Sequence, residues 1–376
     1  MQTTFDPNAA LAPNGNYFGF PFTPEQARLI LISVPWDVTT SYKSGTAKGP
    51  AAIMDASLQL DFYDEAIPDA WQLGIGTLPL NDSAGILRSS IELRGLLDTD
   101  IADSTFRHCE RSEKRHNEVS VNDSTFRHCE RGEAIRSGAE ADSEADDTLE
   151  TINNACRYLN DWVYETALEW LRKGKKAGIV GGEHSVPLGY LKALSEYHED
   201  FGILHLDAHA DLRAGYEGLE FSHASIMYNA LQLPQIKRLV QVGIRDVSPE
   251  EISYARSQGQ RVTQFSDRML QNAMLEGETW AAQCSKIVGA LPEKVYISFD
   301  IDALDPSLCP HTGTPVAGGL SFAQARYLLE ALRRSGKQII GFDLCEVAPN
   351  PNDSNDEWDG NVGARILYLL SNTTLV

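Results

Sequence analysis

GILHLDAHAD (202–211) starts as an apolar run and finishes on three ionisable residues at alternate positions. Near-continuous apolar character suits a strand covered on both faces, as in a parallel sheet. RLILISVPWD (28–37), AGIVGGEH (177–184), RLVQVGIRD (238–246), KVYISFDID (294–302) and QIIGFDLCEV (338–347) read as buried strands of the same kind. Helical stretches lie between them, among them LNDWVYETALEWLRKG (159–174), VPLGYLKALSEYH (186–198) and FAQARYLLEALRRSG (322–336). This alternation predicts a three-layer α/β domain with a mostly parallel sheet and right-handed crossovers.

One segment breaks the rhythm. DSTFRHCER occurs at 103–111 and again at 123–131, inside a polar, charged stretch of roughly 99–147. Two copies are too few for a solenoid, whose stacked repeats must bury a continuous core. A duplicated insertion, disordered and looped out of a single domain spanning 1–376, is the expectation, because extra loop length adds little closure entropy. Its paired His108-Cys109 and His128-Cys129 steps match no zinc-ligand spacing.

The 376 residues carry a formal net charge of −21, so no basic stripe is available to neutralise nucleic-acid phosphates. No stretch approaches the length of a membrane span. The first residues lack the basic start and apolar run of a secretory signal. Six scattered cysteines without CxxC spacing fit a reduced, cytoplasmic protein.

The chemistry gathers where strands end, which is where open α/β sheets form their sites. In an extended chain Asp207, His209 and Asp211 would point one way, as would Asp300 and Asp302 in SFDID. GGEHS adds His184 at the tip of a third strand. Any one of these motifs alone reads better as a capped strand end or a satisfied polar pair. Together they make four carboxylates and two imidazoles, which would repel one another or remain unpaired without a cation. Six such ligands suit two divalent ions better than one zinc. Mixed oxygen and nitrogen donors without thiolate favour Mn²⁺, with Co²⁺, Ni²⁺ or Zn²⁺ as alternatives.

GGEHS, LDAHADLR and SFDIDALDPS, followed by GTPVAGGLS and DLCEVAP, resemble the ureohydrolase family of arginases and agmatinases, in the same order along the chain. PWDVTTSYKSGTAKGPAAI (35–53) is similar to that family's first strand and substrate-entrance loop. The resemblance implies a single α/β domain with a sheet of about eight strands, assembled as trimers or hexamers around two Mn²⁺ per chain. It makes His184, Asp207, His209, Asp211, Asp300 and Asp302 the metal ligands, with Asp207 and Asp300 bridging. Glu346 matches the carboxylate that pairs with the guanidinium group, Asp211 relays a proton to the leaving amine, and His223 links the site to solvent. Glu183, His205 and Asp343 are expected to support ligands, and Cys309 to stand aside.

DLRxxYxGxxxSHA (211–224) is similar to agmatinases, and Ser248 stands where arginases tend to carry an acid for the α-ammonium. Agmatine, cleaved to putrescine and urea, is therefore the expected small cationic substrate. Arginine, guanidinobutyrate, guanidine and formiminoglutamate are the alternatives. Zinc deacetylases of similar topology would use one metal and lack the full ligand set. A non-catalytic homologue would have lost ligands, and all six are present.

Overall fold

The computed structural model describes residues 5–79, 85–97 and 138–376. Among them eight strands form one wholly parallel sheet: β1 (Leu29–Val34), β2 (Ile75–Thr77), β3 (Lys176–Gly181), β4 (Phe201–Leu206), β5 (Ile236–Val242), β6 (Val262–Phe265), β7 (Lys294–Asp300) and β8 (Gln338–Cys345). Six of them match the apolar runs quoted above. The short edge strands β2 and β6 carry too few apolar residues to stand out from their surroundings.

Alternate side chains of each strand feed two separate cores. Leu29 and Leu31 join one cluster, with Ile53, Leu328 and Leu367, while Ile30 and Ile32 join the other, with Val163 and Leu191. The first core is roofed by α1 (Gly49–Ser57), α7 (Asp267–Leu275), α8 (Trp280–Gly289), α9 (Phe322–Arg334) and α10 (Trp358–Leu375). The second lies under α3 (Gly138–Arg172), α4 (Leu188–Tyr197), α5 (Ile226–Ala230) and α6 (Pro249–Ser257), with a further helix, α2, at 85–97. Helix starts follow local chemistry. Ser248 with Glu251 and Ser321 with Gln324 form capping boxes at α6 and α9, each satisfying two backbone N–H groups left over at the first turn.

The duplicated repeat falls outside the described residues, which resume at Gly138. From there the backbone is helical, so 138–147, expected to belong to the loop, forms the opening turns of α3.

Strand order decides where the site lies. The sheet runs β2-β1-β3-β8-β7-β4-β5-β6. After β3 the chain crosses to β4, and β7 and β8 later fill the gap between them. The carboxyl ends of four adjacent central strands are thereby level, Val180 beside Leu344, Asp300 beside Cys345 and Leu206 beside Phe299. His184, Glu346, Asp300 and Asp207 sit at or just past those ends.

The turn after β3 requires a residue without a side chain. A Cβ on Gly182 would lie 2.0 Å from the Trp36 carbonyl oxygen, which also accepts the Glu183 N–H at 2.7 Å. Gly182→Ala is expected to cost about 1–3 kcal/mol of stability, read as a lower urea midpoint at unchanged slope. An unshifted midpoint would show that the two strand ends are free to separate.

Candidate metal centre

β4 stops at Leu206, so the next five residues are not the extended ladder expected from their alternation. Asp211 turns into the left-handed region at φ 54, where its carbonyl receives the N–H groups of Met227 and Tyr228. Asp302 likewise lies in a short 3-10 turn after β7, its N–H donated to Asp300 Oδ1 at 2.8 Å. The ligand candidates therefore fan out from the strand tips instead of facing one point, and two clusters result.

In the first, His184 Nδ1 lies 3.0 Å from Asp207 Oδ2, 3.2 Å from Asp300 Oδ2 and 3.3 Å from Asp211 Oδ2. Its other nitrogen is 2.8 Å from Ser298 Oγ and 3.5 Å from Asp343 Oδ1, so an N–H there leaves the Nδ1 lone pair facing three carboxylates. In the second, His209 Nδ1 is 3.0 Å from Asp302 Oδ2 and 3.5 Å from Asp207 Oδ1. Asp302 Oδ2 is buried without a hydrogen bond. Asp207 divides its two oxygens between the clusters. Asp300 gives Oδ2 to the first; its Oδ1 accepts the Asp302 N–H, as Asp207 Oδ1 accepts that of His209.

His205, 2.8 Å from Asp207 Oδ2, is settled by its neighbour. Gln241 Oε1 accepts from Gln264, which orients the amide so that its NH₂ reaches Ala210 O at 2.7 Å and His205 Nδ1 at 2.9 Å. His205 Nδ1 is thus an acceptor and Nε2 carries the proton it donates to Asp207. No lone pair remains for a cation.

Two convergent lone pairs, five close carboxylate oxygens and one buried oxygen without a donor fit a pair of hard, divalent ions. Cys345 lies near His184, but burial holds its thiol well above the ordinary range, so no thiolate competes. Arg245 braces the second cluster from behind, its guanidinium donating to the carbonyls of Asp302 at 2.7 Å, Leu304 and Val316.

Glu346 follows β8 with φ 65, a strained conformation for a glutamate. Oε1 accepts the His184 N–H at 2.8 Å, while Oε2 faces Gly313. Thr312 Oγ1 donates to the Glu346 carbonyl, and His311 fastens the same loop to α10 through two contacts with Asp359, at 2.8 and 3.1 Å. Cys309 is buried, and its thiol is likewise held protonated by burial, with the charges of Asp359, Asp300 and Asp302 adding to it.

The clusters open into a cleft of about 150 Å³ whose lining includes His209, Asp211, Tyr216, His223, Asp246 and Thr314. His223 heads a 3-10 turn set by a Ser222–Ser225 capping box and stands 3.4 Å from Ser41 Oγ. Burial, reinforced by the charge of His209, lowers its imidazole below the ordinary value. Thr39, Ser41 and Thr314 come from loops whose polar residues carry no spacing signal. Only the folded chain brings Ser41 and Thr314 to the cleft and Thr39 to the buried side of His223.

The sequence matches the family model described as "Arginase family" over residues 27–370. The chain belongs to the arginase family. It is 31% identical over 334 residues to an N(1)-aminopropylagmatine ureohydrolase of Thermus thermophilus, covering 89% of this chain and 87% of that one. It is 28% identical to an agmatinase of Bacillus subtilis, covering 91% and 90%. The crystal structure of an agmatine ureohydrolase of Thermoplasma volcanium has the same fold, with a TM-score of 0.66 at 22% identity, covering 96% of this chain and 95% of that one. Membership makes this arginase-family protein a metal-dependent amidinohydrolase that cleaves a guanidino group, and the fold anticipated from the strand pattern is the fold observed.

Without cations the clusters tie stability to pH. Burial raises Glu183 to about 7 and, with the charge of Asp207, raises Asp211 to about 6. Burial also raises Asp300, with Asp302 adding to it, and Glu346, with Glu183 adding to it. Burial opposes protonation of His184 and His209, but the carboxylates around them outweigh it and both are raised. Every raised group contributes stability that is complete below its unfolded value and lost as pH climbs through its folded value. Asp207 runs the other way, because its histidines outweigh burial, and its contribution is already complete above the ordinary carboxylate range. His223 and His198, both lowered chiefly by burial, gain stability as pH climbs toward the ordinary imidazole value, but Glu183, Asp211, Asp300 and Glu346 lose theirs over the same climb and outweigh them. The chelator-treated protein should therefore melt lower at about pH 8 than at about pH 5, and saturating divalent cation should remove most of that fall. A melting temperature that rises with pH after chelation would contradict the geometry.

Proposed function

We propose that the chain hydrolyses agmatine to putrescine and urea with two Mn²⁺ ions held by His184, Asp207, His209, Asp211, Asp300 and Asp302. The observation that carries this reading is the division of Asp207 Oδ1 and Oδ2 between two His/Asp clusters, next to the buried carboxylate of Glu346. The bound ions would offset the crowded carboxylates and lower the pKa of water toward neutrality.

The chain's own groups do the rest. Glu346 Oε1 is committed to the His184 N–H, which leaves Oε2 to receive the guanidinium and orient its carbon by a charge-assisted contact. Asp211, at the base of the cleft, takes the proton of the attacking water and delivers it to the departing amine nitrogen. His223, half-buried at the mouth beside the Ser41 hydroxyl, passes to solvent the water's second proton, the one that leaves the hydroxyl as the tetrahedral carbon collapses to urea. Collapse of the tetrahedral carbon then releases urea and the amine.

Three features favour a cationic chain without a carboxylate. The relatives above are named for agmatine or an aminopropyl derivative of it. Ser248 is occupied as the N-cap of α6 and offers nothing to an α-ammonium. Arg213, which lines the cleft, stacks 4.6 Å above the Tyr216 ring and faces Glu251 at 3.7 Å, which offsets its charge, while Asp246 leaves an exposed carboxylate at the rim. The reading carries with it a cytoplasmic homo-oligomer, trimer or hexamer, built from a single domain over 1–376. Among the described residues no helix is long and apolar enough to cross a membrane.

Protein loaded with Mn²⁺ should release urea from agmatine faster than from arginine, guanidinobutyrate, guanidine or N(1)-aminopropylagmatine. Formamide from formiminoglutamate, or urea from none of the panel, would remove the assignment. Metal counting tests the centre separately. Asp207→Asn should lose both ions, whereas Asp302→Asn should retain about one per chain, and equal losses would refute the shared carboxylate.

A further inference from the structure

The entrance loop that follows β1 is held at two buried points. Asp37 Oδ2 accepts the Gly45 N–H at 2.7 Å, and Oδ1 accepts from Ser90 of α2 at 3.1 Å, while Ser90 Oγ receives the Asp37 N–H. Two residues on, Thr39 meets Glu183. The Thr39 N–H donates to Glu183 Oε2 at 2.7 Å and the hydroxyl to Oε1 at 2.7 Å, with Ser185 Oγ also donating to Oε1 at 2.6 Å. Glu183 has no exposure and Thr39 3%.

The same hydroxyl works in both directions. Its proton is spent on Glu183, so its lone pairs are left over, and one receives the His223 N–H at 3.1 Å. The carboxylate therefore dictates which way the Thr39 oxygen points, and that oxygen holds the turn on which His223 sits. Ser41, two residues further along, reaches the His223 ring. The mechanism proposed above leaves Glu183 without a task, although a buried carboxylate must be satisfied by strong donors to be tolerated.

We infer that Glu183 and Thr39 are positioning residues for His223: the chain Glu183–Thr39 hydroxyl–His223 N–H sets the imidazole at the cleft mouth and holds the entrance loop beside it. The inference rests on the proton-exchange role given to His223. Neither residue touches the reacting atoms, and neither belongs to the metal clusters. A displacement of the ring by a fraction of an ångström is enough to matter, because proton transfer requires hydrogen-bond reach.

Thr39→Val keeps the shape and removes the hydroxyl, leaving the His223 N–H without its acceptor. In Mn²⁺-loaded protein matched to the parent in metal content and melting temperature, this change should lower kcat about tenfold with KM changed less than about threefold. Thr39→Ser, which restores the oxygen, should return kcat to within about twofold of the parent. His223→Ala placed on the Thr39→Val background should add little, since both changes disable one group. Should Thr39→Val fail to fold, Thr39→Ala removes the same hydroxyl and replaces it throughout. A His223→Ala protein with undiminished kcat would overturn the role of His223 itself. Loss on His223→Ala without loss on Thr39→Val, losses that multiply in the double variant, or no rescue by serine would overturn the positioning chain alone.

Discussion

Carboxylates crowded where water cannot reach them set the terms for this molecule. Unlike charges in solvent, two buried carboxylates a few ångströms apart repel by about 4 kcal/mol even at an effective dielectric constant near 20. Asp207, Asp211, Asp300 and Asp302 are all nearly unexposed, and their oxygens press toward two imidazoles. Protons on those rings and carboxyls, or divalent ions between them, must supply the missing positive charge. The surrounding protein is arranged to keep that demand unmet by anything weaker. Arg245 is turned away toward backbone carbonyls, and the Cys345 thiol is held protonated.

Keeping such a cluster in place requires the backbone to adopt conformations it ordinarily avoids. Asp211 and Glu346 both sit at positive φ, each at a cost of about 1–3 kcal/mol. Each is secured by the groups it displaces. The Asp211 carbonyl caps the start of α5, and Glu346 ties the end of β8 to Gly182 through its N–H and to Thr312 through its carbonyl. Among the described residues two of the four non-glycine positions at positive φ thus carry assigned chemistry, Phe18 and Glu217 being the others, and the strands below, packed on both faces, hold them in place.

The cleft mouth is built by elements that flank the repeat-bearing segment. α2 fastens the entrance loop through Ser90 and Asp37, and α3 fastens the 218–220 loop through Asn153 and Arg157. The two loops meet at Thr39 and His223. The described residues on either side of 98–137 are thus tied to the two loops that form the mouth.

Periodicity and composition determined a good deal unaided. Buried parallel strands announce themselves as unbroken apolar runs, so six of the eight strands, the three-layer class and the location of the site at strand tips were legible in the sequence. Ligand types were legible too, because three clustered acidic or histidine motifs demand a cation wherever they are placed. What no run of residues contains is partnership across the sheet. Alternation suggested that Asp207, His209 and Asp211 face one point, yet β4 ends first, and a left-handed turn sends Asp211 to His184 while His209 goes to Asp302. His205 shares the parity of a ligand and is withdrawn by Gln241, a residue from the neighbouring strand. Thr39 looks like any loop threonine until β1 and β3 come together and Glu183 accepts its hydrogen bond. Side-chain chemistry is local and can be read in order along the chain; charge sharing and hydrogen-bond direction belong to pairs of residues that only the strand order makes neighbours.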